Sequence, residues 1–266
     1  MFNIIKSLNY STRRDTVVWI TILTLLALPL IVLYLSGLLG DVSINKMTPS
    51  VYFASQKMGT VFILMVFGIM IFACKLVAGD AGDKTINYEF MAGHSRTKIF
   101  FGRMIAGFLW SAGLIFIFTI LPLGYLGLVF GWGPETNKYE VIIRSLLLIF
   151  PLLRSSAMYM MIASVARSAG KGIALSYAVY MVISIVVSVL QDVFGIEVTY
   201  PTAMTNAALL LVSQNSRQFV INGSTVTVYD TSVTGEMVWK TIAVSLVFTA
   251  VYLLIAYINF KKTDRD

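Results

Sequence analysis

Six long runs of apolar residues place the strongest limit on what this chain can fold into. Each run reaches the roughly 20 residues that an α-helix needs to cross a bilayer, and together the runs take up about half of the chain. They comprise residues 17–39, 58–78, 104–130, 141–166, 172–191 and 237–259. We therefore predict an all-α polytopic membrane protein with six transmembrane helices, in which residues 1–266 form a single transmembrane domain.

The composition agrees with a membrane protein and excludes a soluble globular or a disordered chain. Hydrophobic residues make up 58% of the chain and charged residues 12%, whereas a soluble domain has about 25% charged residues. So little charge cannot cover a water-exposed surface. The one cysteine and the one histidine are Cys74 and His94, so no disulfide can form within the chain and we predict no metal site.

The basic residues lie mainly on one side of the predicted membrane. Residues 1–16, 75–103, 166–171 and 260–266 contain 13 of the 20 Lys and Arg residues but only 6 of the 13 Asp and Glu residues, which accounts for the whole net charge of +7. Because basic residues accumulate on the cytoplasmic side, we predict that both termini are cytoplasmic, in a bacterial plasma membrane. The positive charge therefore needs no nucleic-acid partner. The first run is longer than the apolar core of a cleaved signal peptide usually is, so we predict that it is not cleaved.

Two segments outside the spans have patterns of their own. Residues 1–16 carry apolar side chains at three-residue steps with basic residues off that stripe, which predicts an interfacial elbow helix; a frayed terminus is the alternative. Residues 192–236 form the longest extramembrane segment, in which residues 203–213 are apolar enough for a short extracellular helix. In the same segment, Asn222-Gly223 between β-rich runs predicts a β-hairpin.

The cytoplasmic loop over residues 79–103 contains the most informative local pattern. Asp80 or Asp83 can cap a short helix that runs to about residue 92, and Gly93 can end it. Ser95 can then cap the helix that continues into the third span. The short helix is amphipathic, which fits either a solvated connector resting on lipid headgroups or a segment that docks on a partner protein.

With six spans, an interfacial N-terminal helix and this loop, the chain resembles the ABC-2 type permeases. A proline that commonly precedes the serine of the family's loop is replaced here by His94. The long outer segment before the last span is also similar to the family. The matching residues are Asp80, Asp83, Lys84 and Thr85 at the start of the loop, Ile86–Met91 in the family's docking helix, residues 95–99 at the start of the third span, and Arg103.

The resemblance implies a transport subunit rather than an enzyme, with no catalytic residues of its own. In such an exporter two permease copies, here a predicted homodimer, work with two copies of a separate ABC ATPase that binds ATP and Mg. This chain has no G-x-x-x-x-G-K-[ST] phosphate loop, so we expect no cofactor on it. The residues implied to contact the ATPase are Asp83, Lys84, Thr85, Ile86, Tyr88, Glu89, Phe90, Met91, His94, Ser95 and Arg96.

Arg154 is the charged residue predicted to lie deepest in the membrane. It lies 13 residues beyond the start of the fourth span, which at 1.5 Å per residue is about 20 Å from the outer end. Such a charge needs protein, water or an anion around it. Arg154 is therefore predicted to face a wet cavity, backbone carbonyls, or a phosphate or carboxylate of substrate or lipid, with a structural anchor as the alternative. We assign a substrate path to Arg154, Met158, Tyr159 and Met161.

Two other residues of the fourth span have structural interpretations. Pro151 predicts a kink, because proline cannot donate the backbone hydrogen bond of an α-helix. Arg144 is predicted to form an ordinary surface ion pair with Glu140, one turn earlier.

These observations favour an ATP-driven ABC exporter of an amphipathic or hydrophobic cargo. A peptide toxin or antimicrobial peptide is the favoured cargo, because the chain resembles small permeases of phenol-soluble-modulin-like peptide export and of bacitracin or lantibiotic self-protection. The alternatives are an ion-gradient-driven secondary transporter and an intramembrane enzyme. Both usually need acidic or histidine side chains inside the membrane, and the six runs contain no Asp, Glu or His.

Overall fold

The computed structural model describes residues 2–38, 48–54, 57–79, 86–211, 216–221 and 224–262. The predictions made for Asp80, Asp83, Lys84 and Thr85 therefore lie outside the described residues, as does the turn at Asn222-Gly223. In chain order the helices and strands are α1 (Phe2–Arg14), α2 (Thr16–Leu38), α3 (Pro49–Ala54), α4 (Lys57–Cys74), a π-helical segment (Lys75–Gly79), α5 (Ile86–Met91), α6 (Arg96–Ile115), a second π-helical segment (Phe116–Ile120), α7 (Leu121–Phe130), α8 (Lys138–Leu147), α9 (Ile149–Ala166), α10 (Ala169–Asp192), α11 (Ala203–Leu211), β1 (Ser216–Ile221), β2 (Ser224–Tyr229) and α12 (Gly235–Lys262).

Among the described residues, five helical units are long and apolar enough to cross a membrane, so the chain is a multi-pass membrane protein. They correspond to the last five predicted spans. The first predicted span, residues 17–39, corresponds to α2. Within the described residues its apolar helix is Thr16–Ala27, which is shorter than a membrane span. The sixth span thus stays a prediction. The five units are Phe62–Gly79, Arg96–Phe130, Lys138–Ala166, Ala169–Asp192 and Gly235–Lys262.

Two of these units depart from a regular α-helix next to a proline. In the unit that combines α6 and α7, the π-helical segment ends just before Pro122, which cannot donate to the carbonyl of Phe118. In the next unit a turn at Leu148 separates α8 from α9. Pro151 follows three residues later and leaves the carbonyl of Leu147 without its helical donor. The kink that Pro151 predicts is therefore present as an interruption of the helix.

Helix α9 lies at the centre of the bundle and packs against α4, α6, α10, α11 and α12. Small residues permit this close approach. A Cβ on Gly107 of α6 would lie only 2.7 Å from the sulfur of Met160, and Ser111 shares a 2.8 Å hydrogen bond with Ser156. Because these pairs join buried positions of two helices, the α6–α9 contact leaves no room for larger side chains.

The bundle has two ends, which carry different polar contacts. At the end that we call the terminal end lie α1, α5 and the last turn of α12. There Arg96 at the start of α6 donates to the carbonyl of Lys261 at 3.0 Å, and Lys75 pairs with Asp15. At the opposite, outer end lie α11 and the strands β1 and β2. The strands pair in antiparallel register from Ser216 with Tyr229 to Ile221 with Ser224.

Helix α1 packs on α6 and is separated from α2 by Asp15. Ile4 lies over Gly102, where an added Cβ would come within 2.9 Å of it. The carboxylate of Asp15 accepts from the backbone N–H of Val17 at 2.9 Å, which caps α2, and also pairs with Lys75. Asp15 therefore fixes the joint between α1 and α2 to the end of the Phe62–Gly79 span; the location of α1 in a membrane interface stays a prediction.

We expect Asp15→Asn to lower the stability of the protein slightly and Asp15→Ala to lower it more. Asparagine keeps the capping oxygen but loses the ion pair, which is worth about 0.5 kcal/mol at a part-exposed site. Alanine also loses the cap, at a further cost of about 1 kcal/mol. Thermal unfolding in detergent at neutral pH measures both effects, with Asp192→Asn at the exposed end of α10 as the control.

The effect of the Asp15 charge should also depend on pH. The hydrogen bond from Lys75 holds the pKa of Asp15 below its ordinary value of 3.8. The ion pair therefore contributes its full stabilisation above pH 3.8, the ordinary pKa. This contribution is lost as the pH falls through the lowered pKa of Asp15 in the folded protein. The stability deficit of Asp15→Asn should shrink on acidification below 3.8; a deficit that stays constant would contradict this role.

Candidate functional site

Arg154 is buried in α9, with 1% of its surface exposed. Its guanidinium donates to the backbone carbonyls of Tyr200, at 3.0 Å, and of Pro201. The ring centroid of Phe248 in α12 lies 4.0 Å from its central carbon. Of the surroundings that the sequence leaves open for Arg154, the structure has backbone carbonyls, together with an aromatic face that stabilises the cation.

A cavity of about 100 Å³ adjoins the Arg154 side chain, and we call it the Arg154 cavity. It lies among α4, α9, α10 and α12, and residues 201–204 close it towards the outer end. Met158 and Tyr159 line it as well, whereas Met161 is not among its lining residues and packs against the hydrophobic core. Ligand sites for organic molecules usually have about 300–1,000 Å³, so this conformation has room for a few waters but not for an amphipathic molecule.

The lining of the Arg154 cavity is largely apolar and includes a few polar groups. Tyr180 and Tyr252 contribute aromatic rings with hydroxyl groups, and Ser155 and Thr202 contribute aliphatic hydroxyls. The Nε of Arg154 is buried and has no hydrogen-bond partner among the described residues. A buried donor without a partner is unfavourable by about 1–3 kcal/mol, so an acceptor that enters the cavity would be bound favourably there.

A second buried arginine holds the same outer segment from α8. Arg144 donates to the carbonyls of Thr231 and Ser232, each at 2.9 Å, and to those of Leu209 at 3.2 Å and Leu210 at 3.4 Å. The latter two are carbonyls of the last turn of α11, where a cation is stabilised by the helix dipole. We call Arg144, Arg154 and the carbonyls that accept from them the outer clamp. Arg154 attaches the part of the outer segment before α11 to the α8–α9 unit, and Arg144 attaches the end of α11 and the part before α12.

The predicted surface ion pair between Arg144 and Glu140 is wrong. Arg144 is buried, with 5% of its surface exposed, and its donors are taken by backbone carbonyls. Glu140 instead accepts a 2.7 Å hydrogen bond from the hydroxyl of Thr231. Helical spacing alone suggested the pair, but the outer segment folds back over α8 and supplies acceptors that a local pattern cannot show.

The terminal end contains the third buried arginine, Arg103 of α6, with 1% of its surface exposed. Its Nε and one terminal nitrogen donate to the two carboxylate oxygens of Glu89, at 3.3 and 3.0 Å, and the other terminal nitrogen donates to the carbonyl of Leu76 at 3.2 Å. We call these three groups the Arg103 clamp. The bidentate ion pair with Glu89 attaches α5 to α6. The hydrogen bond to Leu76 attaches the same arginine to the end of the Phe62–Gly79 span.

The chain between α5 and α6 has the capping pattern that the sequence predicts. Gly93 has a φ of +78°, a left-handed conformation that glycine adopts without strain, and it ends the turn that follows α5. Ser95 caps α6, since its hydroxyl accepts from the backbone N–H of Lys98 at 3.4 Å. Both predictions are confirmed, and together they fix the orientation of α5 relative to α6.

Contacts between α12 and the start of α6 also hold the segment that contains α5. The guanidinium of Arg96 donates to the carbonyl of Lys261 at 3.0 Å and lies 6.0 Å from the ring centroid of Phe90. The hydroxyls of Thr97 and Tyr257 lie 3.2 Å apart. The start of α6 therefore contacts α12 on one side and, through Arg96 and Phe90, α5 on the other.

The residues implied to contact an ATPase differ in how much of their surface is available. Met91 is 81% exposed at the end of α5, whereas Glu89 and Arg96 are engaged in the contacts within the chain described above. Ser95 is exposed and His94 half-buried. Ile86 and Tyr88 lie in the helical backbone of α5. No local pattern indicates that Glu89 faces inward, because this depends on Arg103 being buried beneath it.

A comparison with known protein families gives a match over nearly the whole chain. The sequence model of the family described as ABC-2 family transporter protein matches residues 4–265. No curated protein matches the chain. The matched range includes the Arg154 cavity, the outer clamp and the Arg103 clamp.

We expect Glu89→Gln to speed amide hydrogen exchange in residues 86–94 by roughly tenfold. The substitution removes a charge-assisted pair worth about 1.5 kcal/mol, so α5 should open locally more often. Exchange followed by mass spectrometry on the purified protein measures this, and Glu197→Gln in the outer segment is the matched control. Equal exchange in all three proteins would contradict the tie between α5 and Arg103.

Proposed function

Because the chain belongs to the ABC-2 family of transporter proteins, whose members are transmembrane subunits of ABC transporters, we propose that it exports an amphipathic or hydrophobic cargo. The cargo we favour is a peptide toxin or an antimicrobial peptide. Two copies of this chain would form the membrane part, and two copies of a separate ATPase would bind ATP and Mg and drive alternating access. The complex would lie in a bacterial plasma membrane with the terminal end of each copy in the cytoplasm.

The observation that carries this proposal is the way α5 is attached to the bundle. A partner that pushed on the exposed side of α5, around Met91, would move the Arg103 clamp and the contacts of Arg96 together. Since these contacts reach α6, α12 and the end of the Phe62–Gly79 span, the displacement would pass to three spans as a rigid-body movement.

The displacement can reach the Arg154 cavity through α9, which packs against α4, α6 and α12. The cavity is closed at its outer end by the carbonyls of Tyr200 and Pro201, which accept from Arg154. Separation of α9 from α12 would widen the cavity and draw Arg154 away from these carbonyls. The part of the outer segment that Arg154 holds would then be free to move and let cargo leave.

The cavity also indicates the chemistry of the cargo. Its lining offers mainly apolar surface for a hydrophobic side, and Arg154 offers charged donors for an anionic or strongly polar group. A carboxylate would bind a guanidinium more strongly than a neutral carbonyl does, because both partners are then charged, so cargo could displace Tyr200 and Pro201 as partners. An amphipathic peptide with a free carboxyl terminus combines both properties.

We expect Met91→Asp to abolish the association with the ATPase and ATP-driven export. Met91 is 81% exposed, so the substitution should leave the fold intact while placing a charge in the middle of the proposed contact. Co-purification of a co-expressed ABC ATPase should fall at least tenfold. Tyr139→Asp replaces a side chain that is 76% exposed at the outer end, and it should leave co-purification unchanged. Normal association and transport with Met91→Asp would overturn the proposal.

We expect Arg154→Gln to weaken the response to cargo selectively. Loss of a charged hydrogen-bond donor should raise the concentration of an amphipathic peptide that half-stimulates the ATPase by roughly tenfold in the reconstituted complex. Arg144→Gln is the matched control, because Arg144 belongs to the outer clamp but not to the cavity lining. If both variants raised the half-stimulating concentration equally, Arg154 would act only as a structural clamp.

A further inference from the structure

A groove of about 300 Å³ runs between α1, α2 and α6 on the side of the bundle away from the Arg154 cavity. Its floor is apolar and buried, with Ile22 from α2 and Leu114 from α6. At Gly113 the absence of a side chain keeps it open, since a Cβ there would meet no described atom within 4 Å. Neither the proposed ATPase contact nor the proposed cargo path uses this groove.

The groove extends from Ala106 of α6 to Ile117 in the π-helical segment that follows α6. Eleven residues at 1.5 Å per residue give a length of about 16 Å. This is close to the thickness of the hydrocarbon layer of one leaflet, which is half of about 30 Å. A groove of this length and depth matches a single extended acyl chain that lies against the protein.

The charge at the mouth of the groove is positive. Arg13 and Asn9 line it from α1, and because Ile4 packs on Gly102 near the beginning of α6, this face of α1 lies at the terminal end of the groove. Helix α1 contains basic residues but no acidic residue, and the neighbouring Asp15 is paired with Lys75. An arginine donates well to a phosphate, and an amide beside it adds a further donor.

We propose that this groove is a binding site for an anionic phospholipid from the leaflet at the terminal end, with its phosphate at Arg13 and one acyl chain along α6. The bound lipid fills the space between α1, α2 and α6 and links the joint at Asp15 to the spans. The site takes an anionic lipid in preference to a zwitterionic one, because the latter carries its own cation beside the phosphate and gains less from Arg13.

Trp110 makes this site directly measurable. It lines the groove and is held by stacking on Phe72, with ring centroids 5.4 Å apart. The full-length protein in detergent is titrated with phosphatidylglycerol whose acyl chains are brominated, and with equally brominated phosphatidylcholine, and tryptophan quenching is followed. We expect a saturable quenching component with the anionic lipid that disappears in Trp110→Phe.

Two pairs of variants separate a site from general attraction to a charged surface. Arg13→Gln should weaken the saturable component about fivefold, whereas Arg14→Gln, which removes the same charge from a residue over the ring of Tyr10 instead, should not. Gly113→Leu should fill the groove and abolish the component. Gly124→Leu, at another glycine with no described atom near an added Cβ, should leave it unchanged.

The opposite outcomes would overturn the proposal. Equal quenching by the two brominated lipids would show an apolar groove without headgroup selection, such as a contact surface for another helix. Equal effects of Arg13→Gln and Arg14→Gln would show diffuse attraction to the basic face of α1. Saturable quenching that survives Gly113→Leu would place the lipid elsewhere on the protein.

Discussion

The energetic cost of burying a guanidinium group in an apolar bundle governs how this protein is held together. Arg103, Arg144 and Arg154 are all nearly inaccessible, and an uncompensated charge in such a position would cost several kcal/mol. Each is compensated by groups that lie outside its own helix. The three arginines therefore act as fixed attachment points between the spans and the segments at the two ends of the bundle.

The two ends of the bundle compensate their buried arginines with different groups. At the terminal end Arg103 faces a carboxylate, so the α5 segment is attached by a full ion pair with two parallel hydrogen bonds. At the outer end Arg144 and Arg154 face neutral carbonyls. Such bonds are weaker than those to a carboxylate, so they can be exchanged for bonds to another acceptor. A strong attachment at the terminal end and an exchangeable one at the outer end are compatible with the proposed function, in which a partner moves α5 and the outer end opens.

Local patterns in the sequence predicted much of the helical framework. Apolar run length located the five spans that the structure supports, and residue chemistry located the cap at Ser95, the stop at Gly93 and the interruption near Pro151. These features depend on neighbours within about one helical turn. Strands β1 and β2 lie on either side of Asn222-Gly223 in the chain, where the sequence predicts a hairpin turn that falls outside the described residues.

Contacts between distant segments could not be predicted in this way. The acceptors of Arg144 lie 65 to 88 residues away in the chain, so helical spacing pointed to Glu140 and gave the wrong partner. For Arg154 the sequence could say only that some compensating group was needed, and Tyr200 and Pro201 were not among the named candidates. Glu89 was assigned to a partner protein because its position on a short amphipathic helix does not show that a buried arginine lies beneath it.

The outer clamp has a consequence for how the transporter responds to acidity. Neither a guanidinium nor a backbone carbonyl gains or loses a proton over the physiological range, so the contacts of Arg154 with Tyr200 and Pro201 have the same strength in an acidic medium as in a neutral one. A closure built from histidine or paired carboxylates would loosen as protons were added. The contacts that close this cavity are therefore insensitive to protons, and in the proposed transport cycle a competing anion or a displacement of the helices would release them.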